Sequence, residues 1–432
     1  MLRTGMMGAG ILMLAIAAAA AEAPPDDLAT AVEALKQRNR DLERRLADLE
    51  AKVGGGAQAQ RASREEIKML IDQTLAENKK LFRPDWMENL KFSGDLRLRY
   101  EYRHRTDAKG FDNDERGRVR LRFGFEKSWP DEDLMIGFRL ATGADADPTT
   151  TNQTFTMFQK TPIWFDRGYA RWTPKAVKGL SVAAGKMPNP WEATDLIWDP
   201  DVNPDGVWVE YRVPGLGAFE PFVGAGVFQL FNSSSRPDAS LKSYQAGLRY
   251  QVSKDVRWTV AAAGFIYTNI DDAFVAGNPF FFANPRGNTV TGGKLASAFQ
   301  EFDLVNKIDF VALKLPMSVF VDWVHNAGNQ LATKQNDGFA VGFRVGQNKK
   351  KGDWSVRYIW KELEADATLA FFAESDFGWN TYTNRRGHQW GIDYNLTDAL
   401  TAGLSLFLTQ PLRTGNTHEQ FLTIQADLVW RF

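Results

Sequence analysis

Arginines at every second position are the most chemically distinctive residues of this 432-residue sequence. They alternate with leucine, valine, phenylalanine or tyrosine, so an extended chain would carry the guanidinium groups together on one face. The set comprises Arg97, Arg99, Arg118, Arg120, Arg122, Arg139, Arg167 and Arg171. Such a face is strongly positive, and a positive wall attracts anions and orients dipolar solutes.

An acidic segment at 188–205 is the natural counterpart of these arginines. It contains four prolines and two tryptophans and has no strand pattern, which indicates a loop. Its acidic residues are Glu192, Asp195, Asp199, Asp201 and Asp205. We predict a constriction in which this loop faces the basic wall and sets up a transverse field. In the alternative interpretation, the arginines pair with carboxylates of their own wall, namely Asp95, Glu101, Glu126 and Asp166.

Other reactive constellations are missing from the sequence. The four histidines have no metal-ligand spacing, and neither a serine nucleophile elbow nor a dinucleotide fingerprint occurs. We therefore expect no catalytic residue, no metal and no cofactor, and an enzyme is a minor alternative. Lys plus Arg number 52 against 53 Asp plus Glu, a net charge of −1, which gives no support for a nucleic-acid partner.

The elements that must position these charges are strands. From residue 90 onward, apolar and polar residues alternate with a period of two in segments of about ten residues, the length of a tilted bilayer-spanning strand. We count sixteen segments: 91–103, 117–128, 134–142, 164–172, 180–187, 206–212, 219–230, 243–252, 256–266, 300–310, 317–325, 338–346, 354–362, 387–395, 400–409 and 421–432. Mean hydropathy is low (−0.35) and aromatic content is 12%, which excludes a helical membrane protein and fits aromatic side chains shown to lipid.

Short and long connections alternate between these segments. Turns such as 130–133 and 397–399 contrast with long loops such as 143–163, 188–205 and 267–299. This alternation is typical of outer-membrane barrels, and an even strand number puts both chain ends in the periplasm. The predicted fold class is all-β: a sixteen-stranded antiparallel transmembrane barrel over 90–432, with its polar residues facing the lumen. A soluble barrel or sandwich is the alternative.

The first 89 residues follow different rules. Residues 1–23 have the form of a secretory signal peptide: a basic residue, a short apolar run and small residues. Residues 24–56 carry apolar residues at spacings of 4 and 3, which predicts a periplasmic coiled coil, and 57–89 predict a second helix and neck. We expect a homotrimer, although valine and leucine at the heptad positions suit a dimer as well. A single helix that packs its apolar stripe on another element is the other alternative.

The last strand has an unbroken apolar face that ends at Phe432. An aromatic end on an amphipathic strand resembles the signal read by the bacterial barrel-assembly machinery. We therefore expect this machinery and outer-membrane lipid as partners.

Three stretches resemble the bacterial "putative porin" family. Phe92 to Tyr100 is similar to its opening strand, and Gly185 to Pro190 to a strand-to-loop turn. The stretch from 363 to 409, with Glu364-Ala365-Asp366-Ala367 and Ser375-Asp376-Phe377-Gly378, looks like its C-terminal part. The resemblance implies an outer-membrane diffusion channel without specifying a solute.

The sequence thus predicts a passive channel for small hydrophilic solutes or ions with a preference for anions. The N-terminal rod offers a second role, because it could tether the outer membrane to the cell wall.

Overall fold

The computed structural model describes residues 37, 40, 44, 69, 85–106, 113–144, 147–232, 237–270, 285–378, 382–413 and 419–432. It has two compact units, residues 1–88 and 89–432. The predicted signal peptide lies wholly outside the described residues, and so do the coiled coil and second helix apart from four helical positions. Residues 85–88 are the rest of the first unit that is described, and Asp85–Met87 form a short 3-10 helix.

The described part of the second unit contains sixteen long strands, because alternating branched and aromatic residues suit a pleated sheet with two different faces. Their bounds are β1 (Leu90–Arg105), β2 (Asn113–Trp129), β3 (Leu134–Thr142), β4 (Ile163–Trp172), β5 (Leu180–Lys186), β6 (Asp205–Arg212), β7 (Phe219–Phe231), β8 (Ala239–Ser253), β9 (Val256–Thr268), β10 (Gln300–Ala312), β11 (Leu315–Asn326), β12 (Asp337–Gly346), β13 (Trp354–Leu363), β14 (Arg385–Asn395), β15 (Leu400–Pro411) and β16 (Phe421–Arg431).

The sheet closes on itself. Each strand pairs antiparallel with the next, and β16 pairs with β1, with Tyr100 opposite Ala426. The prediction of a sixteen-stranded antiparallel barrel is therefore confirmed, with several strand ends extended by one to four residues. We call the end with the short turns the turn end and the opposite end the loop end.

Three two-residue strands were not predicted. Gln153–Thr154 pairs with β2. Val290–Thr291 and Lys294–Leu295 form a small hairpin around Gly292 and Gly293. Both glycines have positive φ (61° and 79°), a backbone conformation that side chains with a Cβ rarely adopt.

The apolar face of the strands points outward. Leu98 is 40% exposed and Leu121 37%, whereas Arg118 on the other face is 6% exposed. Aromatic side chains near the turn end, such as Trp172, Trp354 and Tyr394, are exposed on the same outer surface. An exposed apolar belt with aromatic residues at its border is the surface that a barrel shows to lipid. No described helix combines the length and apolarity needed to cross a bilayer.

A charge on this belt is expected to impair insertion. Val321, at mid-strand in β11, is 41% exposed on the outer face. We expect Val321→Arg to destabilise the inserted barrel by about 2 kcal/mol, because a guanidinium must leave water for lipid. Urea titration of the protein folded in lipid vesicles measures this. Val321→Met is the matched control: it places an uncharged side chain of similar length at the same outward-facing position. Equal loss in both variants would contradict the outward assignment.

The inner face differs from the simple prediction of a polar lumen. Towards the loop end it carries large apolar side chains, including Trp208 on β6, Phe228 on β7 and Phe265 on β9, all buried in one cluster. They pack against two long loops: L3, residues 187–204, and L7, residues 364–384. L7 contains two 3-10 helices, Ala370–Phe372 and Ser375–Phe377. Alternation identifies which residues face inward, but it does not reveal that loops would enter and make part of that face apolar.

Candidate functional site

The basic wall on β1 and β2 is built from arginines placed opposite one another. The strand register pairs Arg97 with Arg120, and Arg99 with Arg118. Like charges directly across a strand pair destabilise it unless counter-charges intervene. Asp95 supplies one: its carboxylate lies 2.6 Å from Arg120 Nη2 and 2.7 Å from Arg122 Nη2.

Glu101 neutralises the next arginine layer of this wall. Its Oε2 lies 3.2 Å from Arg118 Nη1, and its other oxygen pairs with Arg116. Both Glu101 and Arg118 are buried. The pairing of arginines with their own wall, which the sequence left as an alternative, thus holds for Asp95 and Glu101. Glu126, named in the same alternative, is exposed and makes no ion pair within the described residues.

L7 adds a carboxylate that the sequence analysis did not assign to the site. Arg99 donates from Nη1 to Asp376 at 3.1 Å, and from Nε to Asp427 of β16 at 2.7 Å. Burial alone would raise the pKa of Asp376, but the guanidinium groups of Arg99, Arg118 and Arg97 outweigh it and hold that pKa below its usual range. Asp376 is therefore ionised in the folded protein near neutral pH.

L3 reaches the same wall through Asp201. Arg122 Nη1 donates to Asp201 at 3.4 Å, and the Thr151 backbone N–H donates to it at 3.0 Å. The neighbouring Asp199 turns away from the wall and accepts from the Ser375 backbone N–H of L7 at 3.0 Å. Burial, reinforced by the Asp201 charge, raises the pKa of Asp199 well above its ordinary value. The hydrogen bond between Ser375 and Asp199 joins L7 to L3.

The other acidic residues of the 188–205 segment do not face the predicted arginines. Glu192 pairs with Arg249 on β8, and Asp205 pairs with Lys186 at 2.8 Å on neighbouring strands. The main-chain carbonyl of Asp195, rather than its carboxylate, accepts from Lys361 at 3.0 Å. Within the described residues, Asp201 alone of the five contacts the arginine set.

The remaining predicted arginines lie on β3 and β4. Arg139 is opposite Arg167, and a bulge inserts Asp166, which pairs with Arg139. Arg167 donates from Nε to Asn203 of L3 at 2.7 Å. The guanidinium of Arg171 lies 5.6 Å from the Tyr169 ring centroid, a cation–π contact.

Aromatic rings hold L3 and L7 in the interior. Trp191 and Trp198 stack at 4.5 Å, and Trp198 stacks on Phe372 of L7 at 5.3 Å. Lys361 of β13 is buried, pairs with Glu374 and lies 4.2 Å from the Phe377 ring. The one sequence signal for this role of L7 is its apolar run around Phe371 and Phe372, which is unusual for a solvent-exposed loop.

On the turn side of these loops the interior opens into a cavity of about 930 Å³. Ten cationic and four acidic side chains line it, including Arg97, Arg120, Arg344, Arg357 and Arg431. A positive, water-accessible cavity therefore lies next to the arginine wall.

The family comparison matches residues 107–278 and 278–432 to the model described as "putative porin". These ranges cover most of the chain. The protein belongs to this porin family. The family resemblance inferred in part from Gly185 to Pro190 and 363–409 is thereby confirmed, whereas Phe92 to Tyr100 precedes the matched residues.

Solved structures similar to this chain include three porins, of which OprB supports the barrel fold. OprB of Pseudomonas putida, in its high-pH structure, aligns with a TM-score of 0.54 and 12% identity, over 84% of this chain and 97% of its own. Salmonella typhi OmpF, in a complex with daunomycin, gives 0.46 and 10% over 79% and 97%. A triple mutant of Rhodopseudomonas blastica porin gives 0.40 and 11% over 79% and 100%. No curated protein sequence matches the chain.

Proposed function

We propose that this porin is a passive diffusion channel of the bacterial outer membrane for small hydrophilic solutes or ions, with a preference for anions. The observation that carries the proposal is a closed barrel with an apolar outer belt around a charged cavity of about 930 Å³. In this arrangement lipid meets the belt, and solutes meet arginines.

The narrow part of the channel lies where the joined loops L3 and L7 meet the arginine wall. Arg97, Arg99, Arg118, Arg120 and Arg122 contribute the positive side, and Asp201 and Asp376 the negative side. Because positive charge exceeds negative charge in the adjoining cavity, an entering anion meets a lower electrostatic barrier than a cation.

Charge reversal tests the preference for anions. We expect Arg122→Glu, and likewise Arg120→Glu, to lower the anion-to-cation permeability ratio by a factor of about two to five. The reversal potential of the purified protein in a planar bilayer with a salt gradient measures this ratio. Lys175→Glu, in an exposed turn, is the control and should leave the ratio unchanged. An unchanged ratio in both arginine variants would refute the role of the wall in selectivity.

The partners follow from the same assignment. We infer outer-membrane lipid around the belt and assembly as a homotrimer with the N-terminal rod in the periplasm. Recognition of the last strand by the barrel-assembly machinery is part of this proposal. Phe432 suits such a role because its side chain is 61% exposed while its backbone is hydrogen-bonded to Gly94.

A further inference from the structure

A second arginine pair lies far along the barrel wall from β1 and β2. The register places Arg344 of β12 directly opposite Arg357 of β13. Both side chains line the interior cavity. Two guanidinium groups at opposed positions repel one another, so the pair is unfavourable as it stands.

The other opposed arginine pairs have carboxylate partners. Arg97 and Arg120 pair with Asp427 and Asp95, and Arg99 and Arg118 pair with Glu101 among others. In the Arg139–Arg167 pair, Asp166 pairs with Arg139. This comparison shows that the wall normally compensates such pairs.

Arg344 and Arg357 have no carboxylate partner among the described residues. Arg344 donates to Asn348 at 3.1 Å and to Ser355 at 3.2 Å, and Arg357 donates to Ser405 at 3.1 Å. The buried Nε of Arg357 has no acceptor. Neutral hydroxyl and amide partners orient the two guanidinium groups but leave both charges in place.

The surroundings strengthen the positive potential. Arg431 of β16 lines the same cavity and donates to the Thr401 hydroxyl at 2.8 Å, again without a carboxylate within the described part of the chain. The nearest acidic lining residues are outnumbered, because the cavity carries ten cations against four carboxylates. An anion in this cavity would supply the charge that the protein omits.

We propose that Arg344 and Arg357 form a binding site for a compact, doubly charged tetrahedral oxyanion of the phosphate type. Guanidinium groups offer N–H donors that match the oxygens of such an anion, and its two negative charges balance the two arginines. This proposal deepens the proposed function and rests on it for the route by which the anion arrives. The site would retain the anion briefly on its way through the cavity.

Inorganic phosphate is the probe for this site. Isothermal titration calorimetry on the purified full-length protein in detergent, at pH 8, should show saturable binding, whereas singly charged acetate should bind at least about tenfold more weakly. The same phosphate titration should reduce the chloride conductance in a planar bilayer with a matching midpoint. Arg344→Gln together with Arg357→Gln should weaken both responses by about tenfold or more.

Arg257→Gln is the matched control, because Arg257 lines the same cavity but already has Asp309 at 3.5 Å. It should leave phosphate binding nearly unchanged. Normal chloride conductance without saturable phosphate binding would overturn the site but not the channel. The same holds for a double variant that binds like the wild type. Phosphate binding by a protein that does not conduct would support the site and refute the channel.

Discussion

Removal of the inward part of L7 is expected to raise the single-channel conductance about threefold, because the narrowest cross-section dominates the resistance of a pore. The variant deletes residues 368–378 and replaces them with a short Gly-Ser linker. The gap can be closed because Leu363 and Arg385, at the two ends of the loop, are opposed on neighbouring strands. The deletion removes Phe372, which stacks on Trp198, and Asp376, which pairs with Arg99.

The control for this deletion is a loop segment that stays outside the interior. Residues 156–160 are exposed, with Met157 80% exposed, and their deletion should leave the conductance unchanged. Conductance is measured in planar bilayers in 1 M salt. At this concentration the Debye length is ~3 Å, so surface charge is largely screened. A wild-type conductance in the L7 deletion would show that the loop does not limit the pore.

Acidic pH is expected to lower the conductance of the channel and neutral pH to raise it. Burial raises the pKa of Glu374 in L7 from 4.5 to about 7, against the lowering effect of Lys361. Between pH 4.5 and 7, Glu374 is therefore protonated in the docked loop and ionised in the released loop. Docking is strongest below that window and weakens by about 3 kcal/mol as the pH rises through it. Burial likewise raises the pKa values of Asp199 in L3 and Asp366 in L7.

The measurement is the mean conductance between pH 4.5 and 8 at constant ionic strength. We expect it to rise with pH in the wild type. Glu374→Gln should lose most of this dependence and keep a smaller slope from Asp199 and Asp366. Lys361→Met, which removes the cation beside Glu374, should move the midpoint to higher pH. A falling conductance with rising pH, or an unchanged slope in Glu374→Gln, would contradict the assignment.

The strands were predictable because each carries its own evidence. The alternation around Leu98 and Leu121 indicates which residues face lipid, and this assignment does not depend on contacts with distant parts of the chain. The same reasoning placed Arg120 and Arg122 on the inner face. It also supported two different partners for them, and the structure has both: wall carboxylates such as Asp95 and a loop carboxylate, Asp201.

The loops were less predictable because their positions depend on distant contacts. Asp199 and Asp201 are two residues apart, yet one pairs with L7 and the other with the arginine wall. L7 is held in the interior because Phe372 stacks on Trp198 and Glu374 pairs with Lys361. No local sequence period encodes such contacts. A long loop rich in aromatic residues, however, indicates that the loop packs against other parts of the protein.

The seam between β1 and β16 also governs how the barrel can form. Every other pair among the sixteen long strands joins neighbours in the chain, but this one joins residues more than 300 positions apart, as Arg99 and Asp427 illustrate. Until the seam closes, two edge strands with unpaired amide and carbonyl groups remain open to other chains. Assembly should therefore be slow at its last step and prone to aggregation before it. A chaperone that protects the two edges would then act on the stage at which most of the chain is already folded.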